Sequence, residues 1–586
     1  MAASSALTGR QSITKGGPEG PPFFSRQRHW QTSGTFAMEQ AAASRSVSPC
    51  MPIRLSNIRL GVEESEQSLP ERLARAMDVH PTDIQRWRIL RKSLDTRDKS
   101  DVHFVYTAEA VVPADEGTIV SRAARRKGPE RVEAYEEPPF KMPPPGERPL
   151  EERPVVIGSG PAGLVAAYFL AEQGYQPLVL ERGRAVRDRI RDVHAFDSGG
   201  PLDPESNYLF GEGGAGTFSD GKLTCRSSGP DVRRVLELFA ACKGKPSILY
   251  DHRPHLGSNR LPAVVKAIRQ RIEALGGEFR FSCRVEDLVL ADGRISGLAT
   301  SSGHTPARVV VLAIGHSARD TYEMLLARGV PMTPKPFQIG VRIEHPQEQV
   351  NRVQYGPQRL EERLGAADYS LIARGQINLF SFCMCAGGQI IPSVSEPGYF
   401  CTNGMSLSRR DSPFANSGLM ITLEPDQFGS AHVLAGMHLQ RKYEALAYQA
   451  GGGRYACPIQ RASDFLARRR SQGKLVASYP RELVSVELEQ LVPPQVVAAL
   501  RHGLPLLDRR WRGKFLAQAV LVGPEARGSA PVRFPRDPSS LESTGVAGLY
   551  PIGEGAGYAG GIVSAALDGL RAAKAIVARY APRERR

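Results

Sequence analysis

The stretch that decides the fold is PVVIGSGPAGLVAAYFLAEQGYQPLVLE, residues 154–181. Its first four residues form a short apolar run, which predicts a buried parallel strand. Residues 164–173 are rich in Ala, Leu and Tyr and predict a helix, with Gly174 as its C-cap. Residues 178–180 predict a second strand, and Glu181 follows it directly.

Three glycines between the first strand and the helix, Gly158, Gly160 and Gly163, give the spacing G-x-G-x-x-G. The first permits a tight turn, the second lets backbone approach a pyrophosphate, and the third lets helix and strand pack closely. The helix N-terminus then faces the phosphates. Glu181 lies roughly 20 residues after the first glycine, where an acid bonds a ribose hydroxyl. The stretch therefore predicts dinucleotide binding, with a glycine-rich structural turn as the alternative.

The bulk composition is that of an ordinary globular protein. Of the 586 residues, 41% are hydrophobic and 23% are charged, and no apolar run approaches the about 18 residues that a membrane-spanning helix needs. The net charge of +15 is compatible with binding to an anionic ligand, an acidic surface or nucleic acid. The alternative is that the proteome of the source organism is rich in arginine, in which case the charge indicates no partner. The eight cysteines contain no C-x-x-C pair, so a reducing, cytoplasmic compartment is expected.

Residues 1–50 predict a disordered N-terminal extension. They are rich in Ser, Ala, Gly, Gln and Pro and show no apolar periodicity. Basic residues outnumber acidic ones, so an organellar transit peptide is the alternative to a cytoplasmic start. Met51 opens a more regular stretch, which favours a start of folded sequence there.

Residues 51–112 predict a small α+β domain, followed by a linker over residues 113–153, which are rich in Pro, Glu, Arg and Lys. The expected elements are strands at 53–60, 84–90 and 102–112 and an amphipathic helix at 69–77. Basic side chains crowd the middle of the domain, at Arg86, Arg88, Arg91, Lys92, Arg97 and Lys99. They are interpreted as the solvated face of a strand, with an RNA-contacting stripe as the alternative.

Residues 154–316 predict the first part of the dinucleotide-binding domain. Within it, segment 207–223, NYLFGEGGAGTFSDGKL, is a glycine-rich loop whose free N–H groups suit an anion nest over the ligand; a plain surface loop is the alternative. Strands at 285–290 and 294–299 form a hairpin across Asp292-Gly293. A helix at 261–275 and strands at 278–283 and 308–315 complete the unit.

Residues 317–540 are less regular and predict an inserted substrate or cap domain. It contains a short helix at 494–502, with Gly503 as its C-cap. Residues 541–580 predict the C-terminal part of the dinucleotide-binding domain. There a strand at 550–552 leads to a glycine turn and then to a helix, whose N-terminus suits negative charge on a ligand.

Together these pieces resemble FAD-dependent oxidoreductases of the glutathione-reductase-like superfamily, and within it the uncharacterised FAD-dependent dehydrogenase family. The matching stretches are VVIGSGPAGLVAA, LFGEGGAGTFSDGKL, VVVLAIGHSARD, IGVRIEHP, SFCMCAGG, TNGMS and YPIGEGAGYAGGI. The resemblance covers about residues 51–580. It implies an α/β fold: a Rossmann-like FAD-binding domain, an inserted α+β substrate or cap domain, and a small N-terminal α+β domain.

Carried over residue by residue, the resemblance implies that the three motif glycines contact the FAD pyrophosphate and Glu181 the adenosine ribose. Val285 then lies against the adenine, and Gly315 passes close to the cofactor. Glu554 bonds the ribityl chain or a phosphate, where many relatives carry the shorter Asp. The other expected cofactor-binding residues belong to the same motifs: Ser159, Pro161, Ala162, Arg182, Gly213, Gly214, Gly216, Thr217, Gly553, Gly560, Gly561 and Ile562.

Polar side chains near these motifs are candidates for chemistry. His255 and His316 are weak catalytic candidates, because histidine moves protons at neutral pH. Residues of this kind are more often structural hydrogen-bond partners, and the same applies to the other polar candidates, Asp220, Lys222 and Tyr558. No His and Cys cluster with metal-ligand spacing is visible, so no metal is expected.

Two further groups have open alternatives. Arg527 and Arg533, near Glu525, are suited to hold an anionic substrate or a nicotinamide phosphate, or else form ion pairs inside the fold. Cys383 and Cys385, the only close cysteine pair, form a redox pair with the flavin or are buried, inert thiols. The inert interpretation is favoured, since the C-x-x-x-x-C motif of disulfide reductases is missing.

The predicted function is that of an FAD-dependent oxidoreductase, a dehydrogenase or reductase that transfers a hydride between a small-molecule substrate and bound FAD. An unidentified acceptor reoxidises the flavin, and NAD(P)H is a candidate donor, although no second dinucleotide motif is seen. One alternative is an FAD-containing RNA-binding or RNA-modifying protein. The other is a scaffold that keeps FAD for stability. Neither a membrane span nor a nucleic-acid partner is expected.

Overall fold

Five short apolar runs form a parallel sheet with the Rossmann-like arrangement predicted from the sequence. The computed structural model describes residues 52–126, 128–356 and 360–583; the extension predicted for residues 1–50 lies outside them. All four strand pairs of this sheet run parallel. In spatial order the strands are Leu549–Pro551, Val310–Leu312, Val155–Ile157, Leu178–Leu180 and Glu278–Arg280. The first four are buried, as expected for parallel strands that are covered on both faces.

Three helices pack beside this sheet: Pro161–Glu172, Leu261–Ala274 and Ile562–Arg579. The first is apolar on every side and is buried from Ala162 to Ala171, because it lies between the sheet and the other two helices. It starts earlier than predicted, since Pro161 suits the first helical position. The Rossmann-like α/β architecture predicted from the sequence is confirmed.

The predicted hairpin is present and gains a third strand. Val285–Ala291 pairs antiparallel with Arg294–Thr300, which pairs in turn with Gly303–Pro306. Asp292 and Gly293 turn the hairpin with φ of +50° and +71°. Both residues are left-handed, as a two-residue type I′ turn requires.

A seven-stranded mixed sheet forms the core of the segment predicted as an inserted domain. In spatial order its strands are Ile372–Ala373, Leu379–Cys385, Phe414–Leu423, Phe337–Pro346, Val520–Glu525, Cys457–Arg461 and Leu483–Ser485. Its two central strands, Phe414–Leu423 and Phe337–Pro346, are almost wholly buried. Helices Ala435–Ala450 and Pro494–Arg510 pack on it.

The last of these helices corrects a prediction. The sequence predicts a short helix that stops at Gly503, whereas the observed helix continues through Gly503 and Pro505 to Arg510. Gly503 is buried, and a Cβ there would lie 2.7 Å from Leu379 Cδ2. The glycine is therefore a point of close packing against the sheet and not a C-cap, because tertiary packing outweighs its low helix propensity.

The N-terminal domain contains a four-stranded antiparallel sheet, in the order Arg86–Asp95, His103–Val111, Ile53–Gly61 and Arg131–Ala134. Helices Leu69–Met77 and Glu116–Ala124 accompany it. The segment 113–153, predicted as a linker, thus supplies one helix and one edge strand to this domain, and a second strand, Arg148–Pro149, that pairs elsewhere. The helix and the edge strand are exposed on most of their surface. Their sequences are therefore polar and lack the apolar pattern from which a helix or strand is predicted.

The basic side chains of this domain are largely paired. Arg88 donates to Glu109 and Glu137, each at 2.6 Å, and Lys92 lies 2.5 Å from Glu66. Arg97 pairs with Asp95. The predicted stripe therefore presents less free positive charge than the sequence suggests.

The remaining elements are short or lie at the periphery. The other helices are Val186–Asp197, Pro230–Ala241, Arg319–Ala327, Gln347–Tyr355, Glu361–Leu364 and Ala462–Leu466. The two-stranded pairs are Thr333–Pro334 with Val532–Arg533, Gly388–Pro392 with Thr402–Ser406, and Arg148–Pro149 with Tyr580–Ala581. In the part of the chain that the structure describes, no helix combines the length and apolarity needed to cross a bilayer.

Candidate cofactor site

The glycine turn has the geometry that its spacing predicts. Gly158 is left-handed, with φ of +98°, and a methyl group added at Gly163 would overlap the carbonyl oxygen of Gly158. At Gly160, by contrast, an added Cβ would meet no atom closer than 4.0 Å. Gly160 also begins the helix without a side-chain cap. The turn therefore presents uncapped backbone amides beside open space, which suits an anion.

Glu181 is buried and serves as an anchor for three loops. Its Oε2 accepts hydrogen bonds from Ser159 N at 2.9 Å and Ser159 Oγ at 2.7 Å. Its Oε1 accepts from Gly183 N and Gly211 N, each at 3.0 Å. The carboxylate predicted to bond a ribose thus also ties the glycine turn to the second glycine-rich loop.

That second loop is organised by Arg189, a residue that sequence reasoning missed. The guanidinium is fully buried and donates to the carbonyl oxygens of Asn207, Gly211, Glu212 and Gly214 at 2.8 to 3.2 Å. Gly213 N in turn donates to Ser159 O at 2.9 Å. The loop is therefore held rigidly against the glycine turn and is not a flexible flap.

A cavity of about 450 Å³ runs from the glycine turn to the C-terminal glycine motif. Sixteen of the predicted cofactor residues line it: Gly158, Ser159, Gly160, Pro161, Ala162, Glu181, Arg182, Gly214, Gly216, Val285, Gly315, Gly553, Glu554, Gly560, Gly561 and Ile562. Gly163, Gly213 and Thr217 do not. Gly163 packs against Gly158, and Thr217 lies against Gly213 and donates to Glu212 O.

The helix Ile562–Arg579 brings a second uncapped N-terminus to the cavity, since Gly561 provides no side-chain cap. Nearby, Glu554 is largely buried, and burial raises its pKa to about 7, an effect that Lys335 partly offsets. A carboxyl with this pKa exchanges its proton near neutral pH.

The cavity is also lined by polar groups from the second glycine-rich loop and from the segment predicted as an inserted domain, among them Asp220, Lys222 and Asn403. Lys222 Nζ lies 3.0 Å from Asp220 Oδ2. Burial raises the pKa of Asp220, but the charges of Lys222 and Arg410 outweigh it and hold the pKa well below its usual range. Asn403 Oδ1 accepts from Arg342 at 3.0 Å and from Gly404 N at 2.8 Å. Its oxygen is thus occupied, and its amide N–H groups are the part left for a ligand.

The two histidine candidates differ in position. His316 lines the cavity, and its Nε2 lies 3.0 Å from Arg527 O. His255 does not line it and lies behind Lys222. Burial lowers the pKa of each to about 4, and nearby arginines add to the effect. Both imidazoles are therefore neutral at pH 7, and only His316 is placed to meet a ligand.

Of the two arginines before the last motif, Arg527 forms an ion pair inside the fold, whereas Arg533 donates instead to the carbonyl oxygen of Gly557. Arg527 binds the buried Glu444 at 2.7 Å, and Glu444 also pairs with Arg319. Glu525 binds the fully buried Arg342 through two contacts of 2.7 Å. The partners of each pair lie more than 80 residues apart in sequence. A local sequence pattern therefore could not predict these ion pairs.

Three other candidates are also accounted for. Arg533 and Tyr558 do not line the cavity, and the Tyr558 ring stacks under Arg536 at 3.6 Å. Cys383 does line the cavity, although it was expected to be a buried, inert thiol. Among the described residues, no group of three or more His, Cys, Asp or Glu side chains could hold a metal ion.

Sequence models of four families match parts of the chain. "FAD dependent oxidoreductase" matches residues 252–377, and "NAD(P)-binding Rossmann-like domain" matches residues 156–214. "FAD-dependent protein, C-terminal domain-like" matches residues 336–528, and a domain of unknown function matches residues 52–111.

Two kinds of relatives are found. An "Uncharacterized protein" of Clostridium beijerinckii is 41% identical over 535 residues, which is 90% of this chain and 99% of that protein. Among solved structures, glycine oxidase from Bacillus cereus is 13% identical and covers 73% of this chain and 95% of its own, with a TM-score of 0.32. L-proline dehydrogenase from P. horikoshii is 11% identical over 74% and 93%, with a TM-score of 0.29. At such TM-scores neither structure bears on function.

Proposed function

The chain belongs to a family of FAD-dependent oxidoreductases, and on that basis we propose that it holds FAD along the cavity between Gly158 and Glu554. A small-molecule substrate exchanges a hydride with the cofactor at the end of the cavity lined by Lys222 and Asn403. The flavin supplies the hydride chemistry when bound, and the protein supplies orientation and electrostatics.

The observation that carries this proposal is the continuity of the cavity. Its walls are built from the first glycine turn and from the C-terminal glycine motif, at opposite ends of the chain. Both motifs begin a helix without a side-chain cap. An uncapped helix N-terminus at each site suits an anionic group. We assign the diphosphate to the first and the electron-rich side of the flavin to the second.

The residues assigned to the substrate end of the cavity have two roles. Some donate hydrogen bonds to the substrate, and one holds and releases a proton. Asn403 offers amide N–H groups, and Lys222 offers an ammonium group that Asp220 keeps charged. These suit a carbonyl or carboxylate oxygen of the substrate. Glu554, which lines the cavity, has a pKa of about 7, and we assign it the holding and release of a proton. NAD(P)H is the donor to be tested first.

The direct test is a variant that fills the diphosphate cradle without disturbing the protein. Gly160→Ala adds a methyl group where no protein atom lies within 4.0 Å and where φ of −69° suits alanine. We expect wild-type protein to be yellow and to release FAD, and Gly160→Ala to fold but bind FAD at least about tenfold more weakly, a loss of about 1.4 kcal/mol. Gly117→Ala, on the exposed helix of the N-terminal domain, is the matched control.

FAD content and Kd are measured by flavin absorbance and fluorescence quenching. Anaerobic titration with NADH, NADPH and a panel of metabolites then identifies the donor that bleaches the flavin. A colourless wild-type protein that takes up no added FAD would refute the proposal, and so would Gly160→Ala with unchanged affinity.

We also propose a reducing compartment such as the cytoplasm. The seven cysteines in the described part of the chain are all free thiols. Free thiols are the common state of cysteine in a reducing compartment, where disulfides are rare.

A further inference from the structure

We propose that Cys383 and Cys385 form a thiol–disulfide exchange site in the wall of the cavity, with a small organic disulfide as its substrate class. This goes beyond the proposed function, because the thiol reaction itself needs no cofactor. The two cysteines belong to the seven-stranded sheet and not to the dinucleotide-binding sheet.

The backbone turns Cys383 towards the cavity. The pairing of strands Leu379–Cys385 and Phe414–Leu423 shifts register between Phe382 and Cys385, and Cys383 has a left-handed φ of +45°. A bulge of this kind redirects a side chain that regular alternation would point elsewhere. Cys383 is accordingly half-buried and lines the cavity beside Phe382.

Cys385 lies directly behind it. It is buried, and its Sγ donates to Cys383 O at 3.3 Å. The pair therefore has an outer cysteine that lines the cavity and an inner cysteine whose sulfur lies against the backbone of the outer one.

Cations stabilise a thiolate at the outer position. Arg342, buried in the sheet, donates to Cys383 O at 3.2 Å, and Lys222 donates to Met384 O, between the two cysteines. The other charged groups that face the pair are Asp220, Glu525 and Glu554. The neighbouring Cys385 thiol, together with Lys222 and Arg342, lowers the pKa of Cys383 below that of a free thiol, against the effect of burial. Cys383 and burial in turn raise the pKa of Cys385.

The proposed reaction has two balanced steps. The Cys383 thiolate attacks one sulfur of the substrate disulfide, forming a mixed disulfide and releasing the first substrate thiol. Cys385 loses its proton and attacks the Cys383 sulfur, which breaks the mixed disulfide and releases the second thiol. The substrate gains two electrons and two protons, and the cysteines become a disulfide. Return to the dithiol requires two electrons and two protons, which come from the reduced flavin; only this last point rests on the proposed function.

The first test is alkylation of the full-length wild-type protein with iodoacetamide between pH 5 and 9, followed by peptide mass spectrometry of each cysteine. We expect the alkylation rate of Cys383 to rise through a midpoint at least one pH unit below that of a free thiol, which titrates at about 8.5. Half-buried Cys225 and buried Cys457 are internal controls for access and for an intact fold. A Cys383 rate that follows Cys225 across the whole range would overturn the proposal.

The second test uses oxidised glutathione under anaerobic conditions. Wild-type protein should release two thiols per chain and form a Cys383–Cys385 disulfide, while Cys385→Ser should stop at a mixed disulfide on Cys383 and release one thiol. Cys383→Ser should release none at this site. Absence of the mixed disulfide in Cys385→Ser would contradict the mechanism. Because FAD content is measured separately, failure here is distinguishable from failure of the proposed cofactor binding.

Discussion

The substitution Glu181→Gln separates two roles of one carboxylate, holding loops together and binding the cofactor. Glu181 accepts four hydrogen bonds of 2.7 to 3.0 Å from Ser159, Gly183 and Gly211. An amide accepts on one side only. Whichever way the glutamine turns, at least one buried backbone N–H loses its acceptor.

The expected cost follows from these bonds. An unpaired buried donor costs about 1–3 kcal/mol, and the surviving bonds lose the strengthening that a charged acceptor gives. We expect a total loss of about 3 kcal/mol in the free energy of unfolding. With about 2.1 cal/mol/K of unfolding entropy per residue, a chain of this size should melt about 2–3 °C lower.

The assay is thermal unfolding, by calorimetry, of the FAD-free and the FAD-loaded protein. Glu348→Gln is the matched control, because Glu348 is exposed and forms only a surface pair with Arg352. If FAD-free Glu181→Gln melts within 0.5 °C (roughly 0.6 kcal/mol) of wild type while its affinity for FAD falls, the carboxylate serves the cofactor alone. The structural role argued from the four hydrogen bonds would then be refuted.

Three further substitutions test the fold and the cavity. Glu444→Gln leaves two buried guanidinium groups, Arg319 and Arg527, without their shared carboxylate; we expect a loss of about 3–5 kcal/mol, seen as a lower melting temperature. Gly163→Ala places a methyl group against the carbonyl oxygen of Gly158 and should destabilise by about 1–3 kcal/mol or more, with loss of FAD in the absorbance spectrum. For Glu554, the folded state holds its proton more tightly than the unfolded state, since burial raises the pKa to about 7. Wild-type stability should therefore fall relative to Glu554→Gln as pH rises from 5 to 7, by at most about 1.4 kcal/mol per pH unit, and a constant difference between their melting temperatures would contradict this.

The parts of the fold that the sequence predicts well are those with local signals. Strand Leu178–Leu180 begins and ends as predicted, and the Asp292-Gly293 turn has the backbone that its residues favour. The glycine spacing also predicts which glycine is packed and which faces open space. In each case the chemistry of neighbouring residues determines the conformation.

The parts that the sequence does not predict depend on distant partners. Arg189 donates hydrogen bonds to four carbonyl oxygens of a loop that follows it in the chain. The residues that flank Arg189 in the sequence do not predict this role. The helix Pro494–Arg510 extends beyond its predicted end because Gly503 packs closely against Leu379. Cys383 reaches the cavity because of a bulge, which the C-M-C spacing does not reveal.

The charge balance of the cavity leads to a last expectation. Every Lys and Arg that lines it in the described chain already has a carboxylate partner: Arg182 with Glu205 and Asp320, Lys222 with Asp220, Arg284 with Glu205 and Glu286, and Arg527 with Glu444. Backbone amides at the helix N-terminus of the first glycine turn are then the groups left to meet the diphosphate. Short-range amide dipoles are screened by salt far less than exposed cations. The Kd for FAD should therefore change less than about threefold between 50 and 200 mM NaCl, whereas a site that neutralises the two phosphates with free cations should lose about tenfold over that range. A steep salt dependence of FAD binding would show that cations are released from their pairs to hold the cofactor.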